Sequence, residues 1–374
     1  MYVAVKGGET AVKNSRKLVA KARRGPKEIP EIRPEQIEHQ LGLAVDRVMA
    51  EGALYDKKAA VKAIQQSQGD LVEAGFLVRA FRTTLKRFGN SRPVDTEKMQ
   101  VLRRVSGAFK DIPGGQILGP TYDYTHRLIE FGDEPDTAQQ VLREPEGSND
   151  RTISENRVPM TRVVDILIRQ GVMQQGQGEL IGEKTEDLTR QPLKLPAKRS
   201  IRLQAMARGD EGFLLGSAYS LQRGFGLDRH PFLGELRVGF VEVMVTPPEL
   251  GFEIKVGEIK VTECFMINRN NGTKQDAPGF ESGYGLVFGQ NERKAMSVSL
   301  LDRSLQNSEK DTDEKYPARS QEFILSHCDN VESSGFVQHL KLPHYVDFQS
   351  ELISIRSLRK KYRKNRKKNN AADL

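Results

Sequence analysis

Two stretches, GELRVGFVEVMV (234–245) and GFEIKVGEIKVTECFMI (251–267), constrain the fold of this chain most. Both are rich in β-branched residues and largely alternate apolar with polar, the period-two pattern of a half-buried strand. The TPPEL between them is a short connection that suits a reversal of direction. An antiparallel hairpin is the expected result.

The first third reads differently. RPEQIEHQLGLAVDRVMAEG (33–52) has Pro34 at a first helical position, Gly52 as a stop, and Ile37, Leu41, Val45, Val48 and Met49 as one apolar stripe. KKAAVKAIQQSQG (57–69) and DLVEAGFLVRAFRTTLKRFG (70–89) follow as helices, the second with Asp70 as N-cap and Phe76, Ala80 and Leu85 on its buried face. A further helix is expected over 96–109, and MYVAVK suggests a short opening strand. In KDIPGGQILGPTYDYTHRLIEFG (110–132), Pro113, Gly114, Gly115, Gly119 and Pro120 forbid a continuous helix. Residues 133–156 read as a linker, 159–169 as a short helix, and 171–200 as a polar stretch. Two helix-like segments span 200–222, a loop, short strand and helix span 282–306, and a last helix covers 347–365. The fold class is α+β. The expected organisation is a helical N-terminal domain (1–132), a linker-rich connection (133–199), an α+β domain with an antiparallel sheet (200–355) and a basic tail (356–374).

Composition narrows the function. With 37% hydrophobic and 29% charged residues, the 374-residue chain can bury a core and stay in solution. It has no run of about eighteen apolar residues, so no membrane span is expected, and its N-terminus lacks a signal peptide pattern. The two cysteines, Cys264 and Cys328, give no disulfide framework and point to the reducing cytoplasm. They also cannot supply the four thiolates of an iron–sulfur cluster, so any cluster belongs to a partner. The net charge of +8 is carried by residues 356–374, where nine Lys or Arg stand against one Asp. The body is therefore neutral, and nucleic acid is not the expected partner of the chain as a whole; the tail reads as a solvated helix end.

No P-loop, GxGxxG, GxSxG or HExxH occurs. The candidate chemistry lies in FVQHLKLPHYVDFQ (336–349), where His339 and His344 stand five apart with Pro343 before the second. Imidazole is a common zinc ligand, and a bend at Pro343 can converge two rings on one ion. A closed site takes four ligands, so Asp347, His327, substrate, water or another chain would complete it. The alternative is two histidines with ordinary hydrogen bonds. TYDYTHR (121–127) is the second cluster: Asp123 could accept from hydroxyls and Arg127 could bind an anion, or the segment is a polar turn.

Taken together, MYVAVKGGE, LAVDRVMAEG (43–52), KDIPGGQILGPTYDYTHRL (110–128), RGDEGFLLGSAYSLQRGFG (208–226), ELGFEIKVGE (249–258), GYGLVFGQNERKAMS (283–297) and FVQHLKLPHYVDFQSEL (336–352) resemble the PhnI family, the I subunits of the bacterial carbon–phosphorus lyase core complex. The resemblance runs from Met1 to about residue 355 and leaves out the basic tail. It implies a role in phosphonate breakdown. With G, H and L subunits, such proteins exchange the adenine of Mg-ATP for an alkylphosphonate, giving a ribose 1-phosphonate 5-triphosphate. Alone, they act as purine nucleosidases. The resemblance also implies a two-fold core of G, H, I and J subunits that self-associates across the axis, with K and L as ATPase-like partners. The radical S-adenosylmethionine chemistry and its iron–sulfur cluster reside in J. Two histidines matching His339 and His344 would hold zinc at the contact with J. For cleavage of an N-glycosidic bond, Asp347 is the first candidate for a ribose or metal contact, its alternative being an N-cap of the last helix. Asp123, as a second carboxylate, with His126 and Arg127 as substrate contacts, forms the second set. A contrasting reading makes the chain a non-catalytic scaffold that lends zinc ligands to the interface.

Overall fold

The computed structural model describes residues 8–129, 131, 160–173, 186–225, 230–272, 277–308 and 316–372. By its contacts the chain divides into two compact units, one formed by Arg23–Asn330 and the other by Met1–Ala22 with Val331–Leu374. The fold is α+β: twelve α-helices and one four-stranded antiparallel sheet among the described residues.

In the larger unit, four helices come first: α2 (Pro34–Gln40), α3 (Gly42–Gly52), α4 (Lys57–Gln66) and α5 (Leu71–Arg82). They follow α1 (Glu9–Arg24), which begins in the smaller unit. The helix expected over 33–52 is two helices. Leu41, at φ −116° and ψ 33°, leaves the helical region, and Gly42 opens the next helix. Leu41 thus falls off the apolar stripe and is exposed, while Ile37, Val45, Val48 and Met49 are buried as expected. The helix of 57–69 ends at Gln66 because Gln68 and Gly69 take positive φ. Asp70 caps α5 by accepting from the amides of Val72 and Glu73. The buried face of α5 is Ala74, Gly75 and Val78; Ala80 and Leu85 are exposed and Phe76 is half-buried. Small residues let α5 lie close on α3, and a Cβ at Gly52 would stand 2.5 Å from Val78 Cγ1.

Residues 96–109 do not form the expected helix. A single 3₁₀ turn (Thr96–Lys98) leads into β1 (Gln100–Val105), which pairs with β2 (Phe232–Val245). Pairing with a strand more than 130 positions away overrides local propensity here. Strand β2 pairs with β3 (Ile254–Asn270) across TPPEL as expected, and β3 pairs with β4 (Gly279–Phe288). The sheet order is β1-β2-β3-β4.

One face of the sheet, through Leu236, Cys264, Met266 and Val287, packs against α7 (Arg199–Ala207), α8 (Glu211–Ser220) and α9 (Glu292–Ser308) in the main core. Helix α9 sits directly on β4: a Cβ at Gly283 would stand 1.9 Å from the Ser299 carbonyl oxygen, so only glycine admits the helix. The other face, through Phe265 and Ile267, is covered by Ile112 and by α6 (Val163–Arg169). Residues 110–129 are irregular, with Gly114, Gly115 and Gly119 at positive φ, as their composition requires. Helix α10 (Gln321–His327) closes the unit.

The smaller unit holds most of α1, all but the first residue of α11 (Asn330–Gln338), a 3₁₀ turn (His339–Lys341) and α12 (Tyr345–Ala372), which outlasts the expected 347–365 at both ends. None of its side chains whose exposure is described is buried. The expected opening strand over 1–6 and the linker 133–156 lie outside the described residues. No helix among those described is long and apolar enough to cross a membrane.

Candidate functional site

The histidine motif is built by backbone chemistry alone. Helix α11 stops at Gln338, and His339 opens a 3₁₀ turn. Pro343 then holds Leu342 in the extended region, at φ −76° and ψ 158°. The chain turns back, and the His344 carbonyl accepts the Phe348 amide at 3.0 Å, starting α12. The two imidazoles end 5.4 Å apart, centre to centre, at 65°. Phe336 packs edge-on against His339 from 5.2 Å.

Both rings are oriented by local hydrogen bonds. His339 Nδ1 meets the Phe336 carbonyl, and His344 Nδ1 meets the Leu342 carbonyl at 2.6 Å. A carbonyl only accepts, so each Nδ1 carries the proton. In the neutral ring Nε2 then keeps the lone pair, the tautomer a metal-binding histidine needs. The donor set fits zinc: two neutral imidazole nitrogens on one bend. It is also incomplete. No group of three or more His, Cys, Asp or Glu side chains able to hold a metal occurs among the described residues. Asp347 is the third residue of α12, exposed in its first turn; His344, not Asp347, holds the N-cap position. His327 ends α10, with Nδ1 2.7 Å from the Phe323 carbonyl.

The second candidate cluster belongs to the larger unit. Asp123 accepts from Arg103 Nη2 at 2.5 Å, and Arg127 Nη2 lies 3.8 Å from its other oxygen. Arg103 is almost wholly buried and also reaches Glu292 at 2.9 Å, so Asp123 tethers its loop to the sheet. Arg127 adopts φ +55°, and His126 is exposed beside it.

Sequence reasoning missed two buried polar groups. On the α6-covered face of the sheet, Arg104 pairs with Glu235 at 2.5 Å, both side chains fully buried. Next to it Arg237 pairs with Glu263, which also accepts from Thr96 Oγ1 at 2.8 Å and from the Tyr284 hydroxyl at 3.0 Å. Burial first, then the Glu263 carboxylate, hold the Tyr284 phenol protonated well above its usual range. The second group surrounds Glu51, which accepts from Arg47 Nε at 2.9 Å, the Glu211 amide at 3.2 Å and Asn330 Nδ2 at 2.7 Å. Near it lies Lys294, fully buried, its Nζ without a hydrogen-bond partner among the described residues. Burial pulls its ammonium down to about 8, against the carboxylates of Glu51 and Glu211. Neither group was marked in the sequence: alternation sets Glu235 and Arg237 opposite Leu236 and Val238, the pattern of a solvated face, and Lys294, though spaced with Val298 and Leu301, sits in the charged start of its helix. Neither cysteine is a poised nucleophile. Burial pushes the Cys328 thiol up to about 12 and Cys264 higher still.

Comparison with known proteins agrees with the motifs. The family described as Bacterial phosphonate metabolism protein (PhnI) matches residues 1–362. A Rhizobium meliloti protein named alpha-D-ribose 1-methylphosphonate 5-triphosphate synthase subunit PhnI is 54% identical over 97% of this chain and 96% of its own length. Its Escherichia coli namesake is 49% identical over 96% of this chain and 98% of its own. A Stutzerimonas stutzeri protein, HtxH, whose name places it among C-P lyase subunit proteins, is 42% identical over 96% of both chains. With a match over nearly its whole length, the chain belongs to the PhnI family of bacterial phosphonate metabolism proteins.

Proposed function

We propose that the chain is the I subunit of a cytoplasmic carbon–phosphorus lyase and takes part in exchanging the adenine of Mg-ATP for an alkylphosphonate. The observation that carries this reading is the 54% identity, across almost the whole of both chains, to a protein named as a subunit of ribose methylphosphonate triphosphate synthase. In the exchange, a phosphonate oxygen forms a bond to C1′ of the ribose as the C1′–N9 bond breaks. The electron pair leaves with adenine, which takes up a proton. Rate then depends on holding the ribose, stabilising its oxocarbenium character and protonating the base. Asp347 and Asp123 are the carboxylates proposed for those tasks, with His126 and Arg127 toward the triphosphate. On the same reading the isolated chain releases purine from nucleoside triphosphates.

His339 and His344 would hold zinc through their Nε2 atoms. Bound there, zinc would supply a fixed positive charge and a cross-link to whatever completes its sphere. The missing ligands fit a site shared with a partner, proposed as the J subunit within a two-fold core that also contains G and H, with K and L attached.

A second reading makes the chain chiefly a scaffold. It is favoured by the smaller unit, which exposes Phe336, Leu340, Tyr345, Val346, Phe348 and Ile353 and in which no described side chain is buried. One experiment separates the two. The purified chain is incubated with Mg²⁺ and ATP or GTP, alone and with G, H and L subunits plus methylphosphonate, and free purine is measured. Purine released by the chain alone supports catalysis within it. Release only in the assembly, unchanged by Asp347→Ala and Asp123→Ala, leaves the scaffold reading.

A further inference from the structure

One cavity in the larger unit is absorbed by neither candidate cluster. Its volume is about 480 Å³, within the range of small-molecule sites. The last turn of α1, the loop of residues 25–33, α2 and α4 surround it. Its floor is apolar, with Ile37 and Ile64 at its base. Its rim is cationic and amide-rich: Arg23, Lys62, Gln65, Gln66 and Gln68.

The wall is set in advance. Arg24 donates to the carbonyls of Pro26 (3.1 Å), Lys27 (3.3 Å) and Ile29 (3.0 Å) and pairs with Glu31 at 3.3 Å. Gln65 Nε2 donates to the Ile32 carbonyl at 2.9 Å, which ties the loop to α4. Glu31 is the one carboxylate among the described residues that line the cavity, and Arg24 neutralises it. Arg23 and Lys62 have no carboxylate partner among the described residues and leave the cavity a positive rim. A separate observation concerns Gln68. It sits at φ +58° just past the end of α4, where glycine is the usual residue. The strained residue brings an amide to the rim that glycine would not.

We propose that this cavity binds a second nucleotide, distinct from the one assigned to His126 and Arg127, with its phosphates against Arg23 and Lys62 and its base over the Ile37–Ile64 floor beside the glutamine amides. The anionic and apolar halves of the ligand follow from the lining. The choice of a nucleotide rather than another phosphorylated molecule rests on the reading under Proposed function.

Equilibrium binding of ATP, tripolyphosphate and adenosine to the full-length chain tests it, in the wild type and in Arg23→Glu, Lys62→Glu, the double variant and Gln68→Gly. Both cations are exposed, and circular dichroism checks that the reversals leave the fold intact. One ATP is expected at this cavity, in addition to the ATP assigned to the Asp123–Arg127 cluster, with affinity at the cavity falling at least about tenfold for each reversal and falling again on raising the salt. ATP is expected to bind more tightly than either of its halves. Gln68→Gly is expected to melt at a higher temperature yet bind ATP less tightly, a combination that a purely structural role would not give. Absence of ATP binding, affinity within twofold of wild type in the folded double variant, or tripolyphosphate binding as tightly as ATP would each overturn the proposal. Failure here and failure of the catalytic reading are distinct. Purine release with unaltered ATP binding in the double variant sinks the cavity and leaves the catalysis. ATP binding abolished by the reversals, in a chain that releases no purine, does the opposite.

Discussion

Replacing Lys294 with methionine should stabilise the protein, and by an amount that depends on pH. The side chain is fully buried and its Nζ has no hydrogen-bond partner among the described residues. In the unfolded chain it titrates near 10.5, and in the folded chain burial brings it to about 8. Between those values the unfolded chain holds a proton that the folded chain has released. Stability therefore rises with pH across this window, and below about pH 8 the full cost of burying the ammonium is present. At about 1.36 kcal/mol for each pH unit, that cost comes to about 3 kcal/mol. Methionine matches the length of the stem and carries no charge, while Arg47 still balances Glu51 and Arg293 still reaches Glu211 at 2.7 Å. Urea unfolding of both proteins at pH 7, 8, 9 and 10 gives the test. Lys294→Met should be more stable by up to about 3 kcal/mol at pH 7, with the gap closing toward pH 10. Other titrations common to both proteins cancel in the difference. A variant less stable than wild type at pH 7, or a gap that does not change with pH, would refute the argument.

Three further outcomes follow from the same structure. Gly283→Ala puts a methyl group against the Ser299 carbonyl and should cost about 3 kcal/mol or more, read from the same unfolding curves. Glu235→Leu strands the fully buried Arg104 and should cost about 3–5 kcal/mol, whereas Arg104→Met with Glu235→Leu should lie closer to wild type than either change alone, a double-mutant cycle that urea unfolding can close. His339→Ala and His344→Ala should each lower the zinc content of the purified assembly, measured by elemental analysis, while leaving the melting of the Arg23–Asn330 unit within about 1 °C.

How much was legible varied with the range of the interaction. The β2–β3 hairpin declared itself because alternation and the TPPEL reversal are both local. Asp70 as a cap and Pro34 at a first helical turn were legible for the same reason. Strand β1 was not, since its partner Arg237 stands far along the chain and QVLRRV carries no alternation clean enough to outvote a helix. The break at Leu41 was hidden because the apolar spacing continues through it. At the candidate sites, the spacing of His339 and His344 and the bend at Pro343 could be read directly. The tether between Asp123 and Arg103 could not, because it depends on a strand that sequence reasoning placed in a helix. The buried Lys294 was hidden by its own surroundings, since NERKAMS looks like the solvated start of a helix.

The histidine bend itself yields a final test. No described side chain of the smaller unit is buried, so no core clamps the two rings. What brings them within 5.4 Å is the 3₁₀ turn, the extended Leu342 and the two carbonyl contacts. Of these, only the extension of Leu342 is imposed covalently, by the ring of Pro343. Pro343→Ala removes no ligand and no hydrogen bond, because proline has no amide proton to lose. It does free the backbone before folding back, which costs about 1 kcal/mol of preorganisation, or about fivefold in zinc affinity. Zinc titration against a competing chelator measures this directly. Affinity unchanged in Pro343→Ala would mean that the bend is held by something other than its own backbone, and the two-histidine site would then have to be assigned to the surface that packs on it.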